Sequence, residues 1–399
     1  MDMKSIFSTV LLLVAAAASA AVPRVSQVRL AQDGRHRARV TYELAEAPGI
    51  VTFDILTNGV SIGASALTNA VGDVNRLVQP GSRTIEWAPW ETWPGHRFST
   101  ACVAAKVTVW PTNAPPDYLA VDLTKPDYPV TYYAAEAALP WGKIWQNQKY
   151  KGDVLLMRRI HASHVLSLMG SPVTEANHLA GRETRRFCTL TNDYYLGVYP
   201  VTFRHYYLLN DSSATEARLT PVNSIAYNQL RYNNANINNT ALPINFPTTT
   251  GRTTIGGTSI LKPWRDRTGL TFDLPTSAQW EYACRAGSTT PIYLHPSCDG
   301  TMAQLGMIAG VYGEVGLHGG NYWNLFDMLG NVYEWCLDYF DTAIPDDPVV
   351  DPFGPTSLAS LQRVIRGFHT QQMHWRSAFF SGSHHVDGKF GFRLCVTLP

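Results

Sequence analysis

The chain has 399 residues, enough for roughly two or three domains, and 45% of them are hydrophobic, which is enough to bury a sizeable core. Charged residues make up only 16%, and 32 Lys and Arg against 31 Asp and Glu leave a formal net charge of +1. This balance excludes the basic surface that binds a nucleic-acid backbone or an anionic membrane. Aromatic residues reach 11%. Low charge combined with many aromatics favours a rigid, loop-rich extracellular protein.

The N-terminal twenty residues predict a secretory signal peptide. Lys4 precedes an uncharged apolar run over residues 6–18, and Ala18, Ser19 and Ala20 form a small-residue cleavage site. The apolar run is shorter than the ~20 residues that span a bilayer, so we expect cleavage after Ala20 and no transmembrane segment in the mature chain. The predicted location is the periplasm, the cell surface or the medium.

Residues 21–110 predict an all-β domain. Short β-type runs, such as residues 37–44 and 50–56, are separated by turn signals with no helical periodicity between them. This spacing is typical of a β-sandwich of the immunoglobulin or fibronectin type III class. Charged and apolar residues alternate as on a solvated sheet face, so we expect a spacer or docking role. Residues 111–152 begin with five prolines between positions 111 and 129, and we interpret them as a linker.

Residues 153–399 predict a second domain with little regular secondary structure. Long irregular stretches dominate, and one helix is clearly indicated. Pro275 and Thr276 mark its beginning, and Gly287 follows its last residue, Arg285. The expected fold class of the whole chain is therefore α+β, with an all-β N-terminal domain.

Several ordered blocks in the second domain resemble the formylglycine-generating enzyme or sulfatase-modifying-factor family. Residues 273–287 (DLPTSAQWEYACRAG) are close to the family's signature helix, and residues 325–335 (LFDMLGNVYEW) match best. Residues 363–367 (RVIRG) and 391–393 (GFR) follow in the expected order. The resemblance implies a variant of the C-type-lectin fold.

The cysteines that carry the family's oxidation chemistry are missing. In members that oxidise a sulfatase cysteine to formylglycine, two cysteines after the Arg-Gly-Gly motif bind copper as thiolates. Here no cysteine lies between Cys336 and Cys395, and Trp375 stands where the second one is expected. Because soft thiolates select Cu(I), the resemblance argues against copper and against oxidase activity. The alternative is a periplasmic metal-dependent oxidase of the same superfamily, with formylglycine-generating or altered chemistry.

The block around Gly330 predicts a calcium site. Asp327 and Glu334 flank a sharp turn at which the main-chain carbonyls of Gly330 and Val332 can point the same way as both carboxylates. Ca²⁺ prefers such an all-oxygen environment. The resembling enzymes bind calcium through equivalent positions, which implies a structural Ca²⁺ that ties loops together.

The last segment of the domain predicts a recognition surface. It mixes rigid aromatic side chains with adaptable polar ones, as recognition loops do. The predicted ligand-binding residues are Phe368, His369, Gln371, His374, Trp375, Phe379 and His384. The expected ligand is a peptide, protein or glycan, and residues 367–390 could be a diversified segment, as in lectin-fold variable proteins. The alternative is that Trp375 and Phe379 fill the core.

Two further hypotheses concern metal and sulfur. One is an iron or copper site built from the histidines of the last segment, which have no carboxylate or Cys partner at a recognisable spacing. The resemblance also implies a Cys284–Cys395 disulfide. Leu394 is an extra residue before Cys395, however, and one residue turns a side chain to the other face of a strand. Because the copper-binding cysteine pair is missing, we favour a binding module over an enzyme for the second domain.

Overall fold

The computed structural model describes residues 21–33, 36–95, 101–231, 255–293, 313–355, 362–367, 374–384 and 388–399. The predicted signal peptide lies outside these residues. The strands are β1 Arg24–Asp33, β2 Arg37–Ala45, β3 Gly49–Thr57, β4 Val60–Ser61, β5 Val71–Gly72, β6 Arg76–Val78, β7 Gly81–Trp87, β8 Val103–Trp110, β9 Tyr118–Asp122, β10 Val130–Tyr133, β11 Val154–Ile160, β12 Val165–Met169, β13 Arg186–Leu190, β14 Tyr194–Gly197, β15 Tyr333–Tyr339, β16 Val349–Val350, β17 Arg363–Arg366, β18 Ser381–Ser383, β19 Phe390–Gly391 and β20 Cys395–Thr397. The α-helices are α1 Pro89–Thr92, α2 Lys149–Gly152, α3 Phe203–Asn210, α4 Tyr227–Arg231, α5 Leu261–Thr268 and α6 Ser277–Arg285, and short 3-10 turns cover Ala64–Leu67, Glu136–Ala138 and Ile144–Gln146.

Two sheets form the N-terminal part of the protein. One has the order β1-β2-β7-β5, and the other has the order β4-β3-β6, with β8 paired to β3. Buried and exposed positions alternate along β2, so Val40, Tyr42 and Leu44 all point to one side. They pack with Val51 of β3 and Ile85 of β7 in one apolar cluster. Two sheets sharing a core agree with the predicted all-β domain, while its assignment to the immunoglobulin or fibronectin type III class stays a prediction.

The linker prediction for residues 111–152 is wrong. β9 pairs antiparallel with both β10 and β11, and all three belong to a five-stranded sheet in the order β10-β9-β11-β14-β20. The prolines lie before β9 or between β9 and β10, where they shape turns and leave the ladder donors of the strands intact. The second structural unit therefore begins at β9 and not at residue 153.

The central strand β11 is buried on both faces. Leu155 and Met157 enter one apolar cluster, whereas Val154 and Leu156 enter another. This division follows from the alternation of side chains along a strand. The rest of the unit contains a β18-β17-β15-β19 sheet and a β12-β13-β16 sheet. The protein is thus mostly β with a few short helices, and among the described residues no helix is both long and apolar enough to cross a bilayer.

The predicted signature helix is confirmed as α6. Thr276 caps it through a capping box with Gln279: the Gln279 N–H donates to Thr276 Oγ1 at 3.1 Å, and the Thr276 N–H donates to Gln279 Oε1 at 2.9 Å. The helix ends where Ala286 and Gly287 adopt positive φ angles of 45° and 88°. Eight of its nine residues are buried, so the helix lies inside the domain and not on its surface.

A buried histidine closes the first turn of α3. The Nδ1 atom of His205 accepts the Thr202 N–H at 3.4 Å, and Nε2 donates to the carbonyl of Val154 at 3.2 Å. Both contacts use a neutral imidazole. Burial disfavours the charged form and lowers the pKa of His205 from 6.5 to about 4.

We expect protonation of His205 to lower the free energy of unfolding as the pH falls. Its folded-state pKa of about 4 lies below the unfolded value of 6.5, so the unfolded chain binds the proton first. The stabilisation is complete above pH 6.5 and is lost as the pH falls toward 4, by on the order of 3 kcal/mol. His205→Gln keeps a capping side chain without this titration. Urea unfolding between pH 4 and pH 7 should therefore show a shallower pH dependence for this variant. Equal slopes for His205→Gln, the exposed-site control His164→Gln and the wild type would contradict the assignment.

Candidate functional site

Buried ion pairs connect α6 to the surrounding strands. The Glu281 carboxylate accepts from Arg285 at 2.8 Å, from Arg366 at 3.0 Å and from the Gly170 N–H at 2.8 Å. Burial alone would raise the pKa of Glu281, but the two guanidinium groups hold it below its usual range. This carboxylate therefore joins the end of β12, the middle of α6 and the end of β17.

A second buried pair lies in the block that was predicted to bind calcium. Oε1 of Glu334 accepts from Nη2 of Arg393 at 2.8 Å, and Oε2 accepts from the indole N–H of Trp280 at 2.8 Å. Arg393 Nε also donates to Oε2 at 3.1 Å. The other donations from Arg393 go to three main-chain carbonyls, those of Gly197, Val198 and Phe326. Glu334 and Arg393 are 1% and 0% exposed, so each is the main charge compensation of the other.

The predicted calcium ligands differ in how well they fit a cation. Asp327 is buried, and its Oδ2 accepts the Gly316 N–H at 2.7 Å. Burial, together with the nearby Glu334 carboxylate, raises the pKa of Asp327 to about 6. A cation would relieve this charge. Both oxygens of Glu334 are already engaged, and the carbonyl of Gly330 accepts the Val332 N–H at 2.8 Å. Asp327 is thus the residue that fits calcium best.

The predicted recognition residues of the last segment do not share one surface. Trp375 is 0% exposed and Phe379 is 4% exposed, so the prediction that both contact a ligand at the surface is wrong. Trp375 belongs to the largest apolar cluster, as the core alternative required. His374 stacks on Phe379, with ring centroids 4.6 Å apart, and His384 is exposed. The other three predicted residues, Phe368, His369 and Gln371, lie outside the described residues.

The disulfide implied by the resemblance is not formed. Cys284 and Cys395 are both thiols. The Cys284 sulfur lies 3.7 Å from Ser377 Oγ, whereas the Cys395 sulfur lies 3.9 Å from Gln279 Oε1. Gln279 and Cys284 are about 7.5 Å apart along the helix axis, which separates the two sulfurs. The residue before Cys395, Leu394, is buried in a different apolar cluster, so the extra residue shifts the strand as the sequence indicated.

Three described cysteines of this unit, Cys188, Cys284 and Cys336, are buried and protonated. Burial raises the pKa of Cys188 and of Cys284 to about 12, and it raises that of Cys336 well above the usual value. Across the part of the chain that the structure describes, no three His, Cys, Asp or Glu side chains are arranged to hold a metal ion. Cys298 lies outside that part.

A cavity of about 630 Å³ lies where β12, β13, β15 and β17 meet the segment that carries β16. Arg182, Arg186 and the carboxylates of Glu183, Glu281 and Asp338 line it together with an apolar wall. The apolar wall includes Ile344, Pro345, Pro348, Val349, Phe353 and Phe380. No motif in the sequence indicates this cavity. The arginines of residues 182–186 are visible in the sequence. Their proximity to residues 344–353, however, depends on the pairing of β13 with β16.

Comparison with known proteins gives one family. The sequence profile of the sulfatase-modifying factor enzyme 1-like domain matches residues 161–398. The formylglycine-generating enzyme of Streptomyces coelicolor is 33% identical over 110 residues, which are 24% of this chain and 34% of that protein. The chain therefore spans about a third of the length of this curated relative.

Solved structures show a more distant likeness. Treponema denticola variable protein 1 is 17% identical, with 62% of this chain and 96% of that chain covered and a TM-score of 0.43. PvdO from Pseudomonas aeruginosa is 18% identical, with 61% and 95% covered and a TM-score of 0.43. CarF is 14% identical, with 59% and 97% covered and a TM-score of 0.31.

Proposed function

The chain belongs to the sulfatase-modifying factor enzyme 1-like family, and from this premise we propose that its second unit is a ligand-binding module that does not oxidise cysteine to formylglycine. The ligand in this proposal is a peptide, protein or glycan. The alternative, a metal-dependent oxidase of the same superfamily, would need a metal site built from other residues.

The burial of Trp375 is the observation that carries the proposal. The resemblance puts the second copper-binding cysteine at this position, and here a fully buried indole occupies it. An indole offers no thiolate, and two thiolates are what select Cu(I). The raised pKa values of Cys188 and Cys284, both about 12, support the same conclusion, because a protonated thiol is a poor metal ligand.

An oxidation assay tests this proposal directly. The purified protein would be supplied with copper and oxygen and incubated with a cysteine peptide that the Streptomyces coelicolor enzyme converts under the same conditions. We expect mass spectrometry to show no aldehyde product, and elemental analysis to show no stoichiometric copper or iron. Formation of formylglycine, or one bound copper or iron per chain, would contradict the proposal and favour the oxidase.

The proposal includes the structural calcium ion expected at Asp327, Gly330, Val332 and Glu334, with Asp327 as its principal ligand because both Glu334 oxygens and the Gly330 carbonyl already accept hydrogen bonds. The buried, incompletely compensated charge of Asp327 supports it. The melting temperature of the wild type should be higher in calcium than in EDTA. The melting temperature of Asp327→Ala should be the same in both. Equal melting temperatures of the wild type in calcium and in EDTA would remove the ion from the proposal.

The proposal also includes export, with the N-terminal two-sheet part serving as a spacer or docking domain. The apolar run and small-residue cleavage site before Ala21 support export. Mass spectrometry of the protein from an exporting host is expected to give a mature chain that begins at Ala21. An intact N-terminus in the cytoplasmic fraction would contradict it.

A further inference from the structure

Two half-buried arginines in the cavity, Arg182 and Arg186, have no carboxylate partner in the described part of the chain, unlike the buried Arg159 and Arg393 of the same unit. Arg159 pairs with Asp193 at 2.7 Å, and Arg393 pairs with Glu334 at 2.8 Å. Among the described residues, no carboxylate lies within 4.0 Å of the guanidinium group of Arg182 or Arg186. The Nε of Arg186 is buried without a hydrogen-bond acceptor, and Arg182 lies 5.2 Å from the ring centroid of Phe340.

The acidic side chains of the cavity are mostly committed to other donors. Glu183 accepts from Arg376 at 2.7 Å, and Glu281 accepts from Arg285 at 2.8 Å and from Arg366 at 3.0 Å. Farther along the wall, three aspartates accept main-chain or hydroxyl donors: Asp338 accepts from Ser277, Asp341 from Thr342 and Ala343, and Asp351 from Thr191. Glu281 and Asp338 act on Arg186 only as charges at longer range. The cationic side chains of the cavity without a carboxylate partner in the described ranges are therefore Arg182 and Arg186, and the Nε of Arg186 is a buried donor without an acceptor there.

The unmet donors and the shape of the cavity describe one kind of ligand. A guanidinium group presents N–H donors in a fork that matches the oxygens of a carboxylate, phosphate or sulfate. A buried donor without an acceptor is costly, so an incoming oxyanion gains more here than at the surface. The remaining wall is apolar, with Ile344, Pro345 and Phe380 among its residues, and a volume of about 630 Å³ suits a small organic body.

We propose that this cavity binds an organic oxyanion, in which a carboxylate, phosphate or sulfate group accepts hydrogen bonds from Arg182 and Arg186 and an apolar body packs against residues 344–353 and Phe380. This inference deepens the proposed function by naming the chemical class of the ligand. It rests on the proposed function only in that the ligand is bound and not oxidised.

Calorimetry with small probes tests the wild-type protein without any substitution. Phenylacetate, phenyl phosphate and phenyl sulfate carry the three oxyanions, and neutral phenylacetamide is matched to the first. We expect at least one anion to bind with a dissociation constant below about 1 mM and about 10-fold to 100-fold tighter than the amide. The ranking of the anions identifies the oxyanion. Absence of binding by all three anions, or equal binding of phenylacetate and phenylacetamide with no preference for the other anions, would overturn the proposal.

Substitutions then place the binding in the cavity. Arg182→Gln and Arg186→Gln should each weaken the best anion about 10-fold or more. Arg185→Gln, at an exposed neighbouring position, should leave it unchanged. Arg186→Lys tests whether the paired N–H donors of the guanidinium group matter, because it keeps the positive charge and loses those donors. A loss with Arg185→Gln equal to that with Arg186→Gln would overturn the assignment. Formylglycine production with anion binding intact would refute the proposed function alone.

Discussion

Replacing Arg393 by Met should lower the free energy of unfolding by about 3–5 kcal/mol, because it leaves the Glu334 carboxylate buried without its counter-charge. Glu334 is 1% exposed, so water cannot take over this role. The substitution also removes the donors to the carbonyls of Gly197, Val198 and Phe326. Urea unfolding followed by tryptophan fluorescence measures the effect.

An exposed ion pair provides the control for this experiment. On α5, Lys262 Nζ lies 2.5 Å from Asp266 Oδ1, and the two side chains are 40% and 58% exposed. Lys262→Met should change the free energy of unfolding by no more than about 0.5 kcal/mol. The double variant Arg393→Met/Glu334→Gln should lose less unfolding free energy than the sum of the two single variants, because Glu334→Gln removes the carboxylate charge that Arg393→Met leaves unpaired. An Arg393→Met effect as small as that of Lys262→Met would show that the pair is not buried.

Replacing Trp375 by Ala should destabilise the protein by about 3–5 kcal/mol, because the removed indole leaves a void in the largest apolar cluster. A tryptophan on a recognition surface would instead affect ligand binding and leave the unfolding free energy nearly unchanged. The two interpretations of Trp375 therefore differ in what denaturant unfolding of the free protein measures.

The matched control is Trp90→Ala, at a side chain that is 63% exposed in the N-terminal part. We expect its effect to stay within about 0.5 kcal/mol. Because the two parts of the chain could unfold separately, a near-UV circular dichroism signal and the fluorescence should be followed together. If Trp375→Ala unfolds at the same urea concentration as Trp90→Ala, the core assignment is wrong. That result would favour the interpretation of Trp375 as part of a recognition surface.

Features that depend on neighbouring residues could be predicted from the sequence. The beginning of α6 follows from Thr276 and Gln279, which are three positions apart, and its end follows from Gly287. The alternating pattern of β2 indicated a sheet with one buried face. The ordered blocks of the second unit likewise indicated the family, which the match over residues 161–398 confirms.

Features that depend on distant segments could not be predicted in this way. The prolines near β9 and β10 favoured a linker, yet those strands pair with each other and β9 pairs with β11. The composition of a short segment does not reveal a pairing partner tens of residues away. The same holds for Cys284 and Cys395, for which the resemblance implied a disulfide, whereas their sulfurs contact Ser377 and Gln279.

The sequence by itself determined the family, the absence of the catalytic cysteine pair and the position of the signature helix, because each depends on residue identity or on neighbours within a few positions. Only the tertiary structure decided that Trp375 is core and that Arg182 and Arg186 line a cavity. Burial is set by which segments pack together, and the cluster around Trp375 draws residues from Leu119 to Leu398. A side chain therefore becomes core or binding surface only when those distant segments meet.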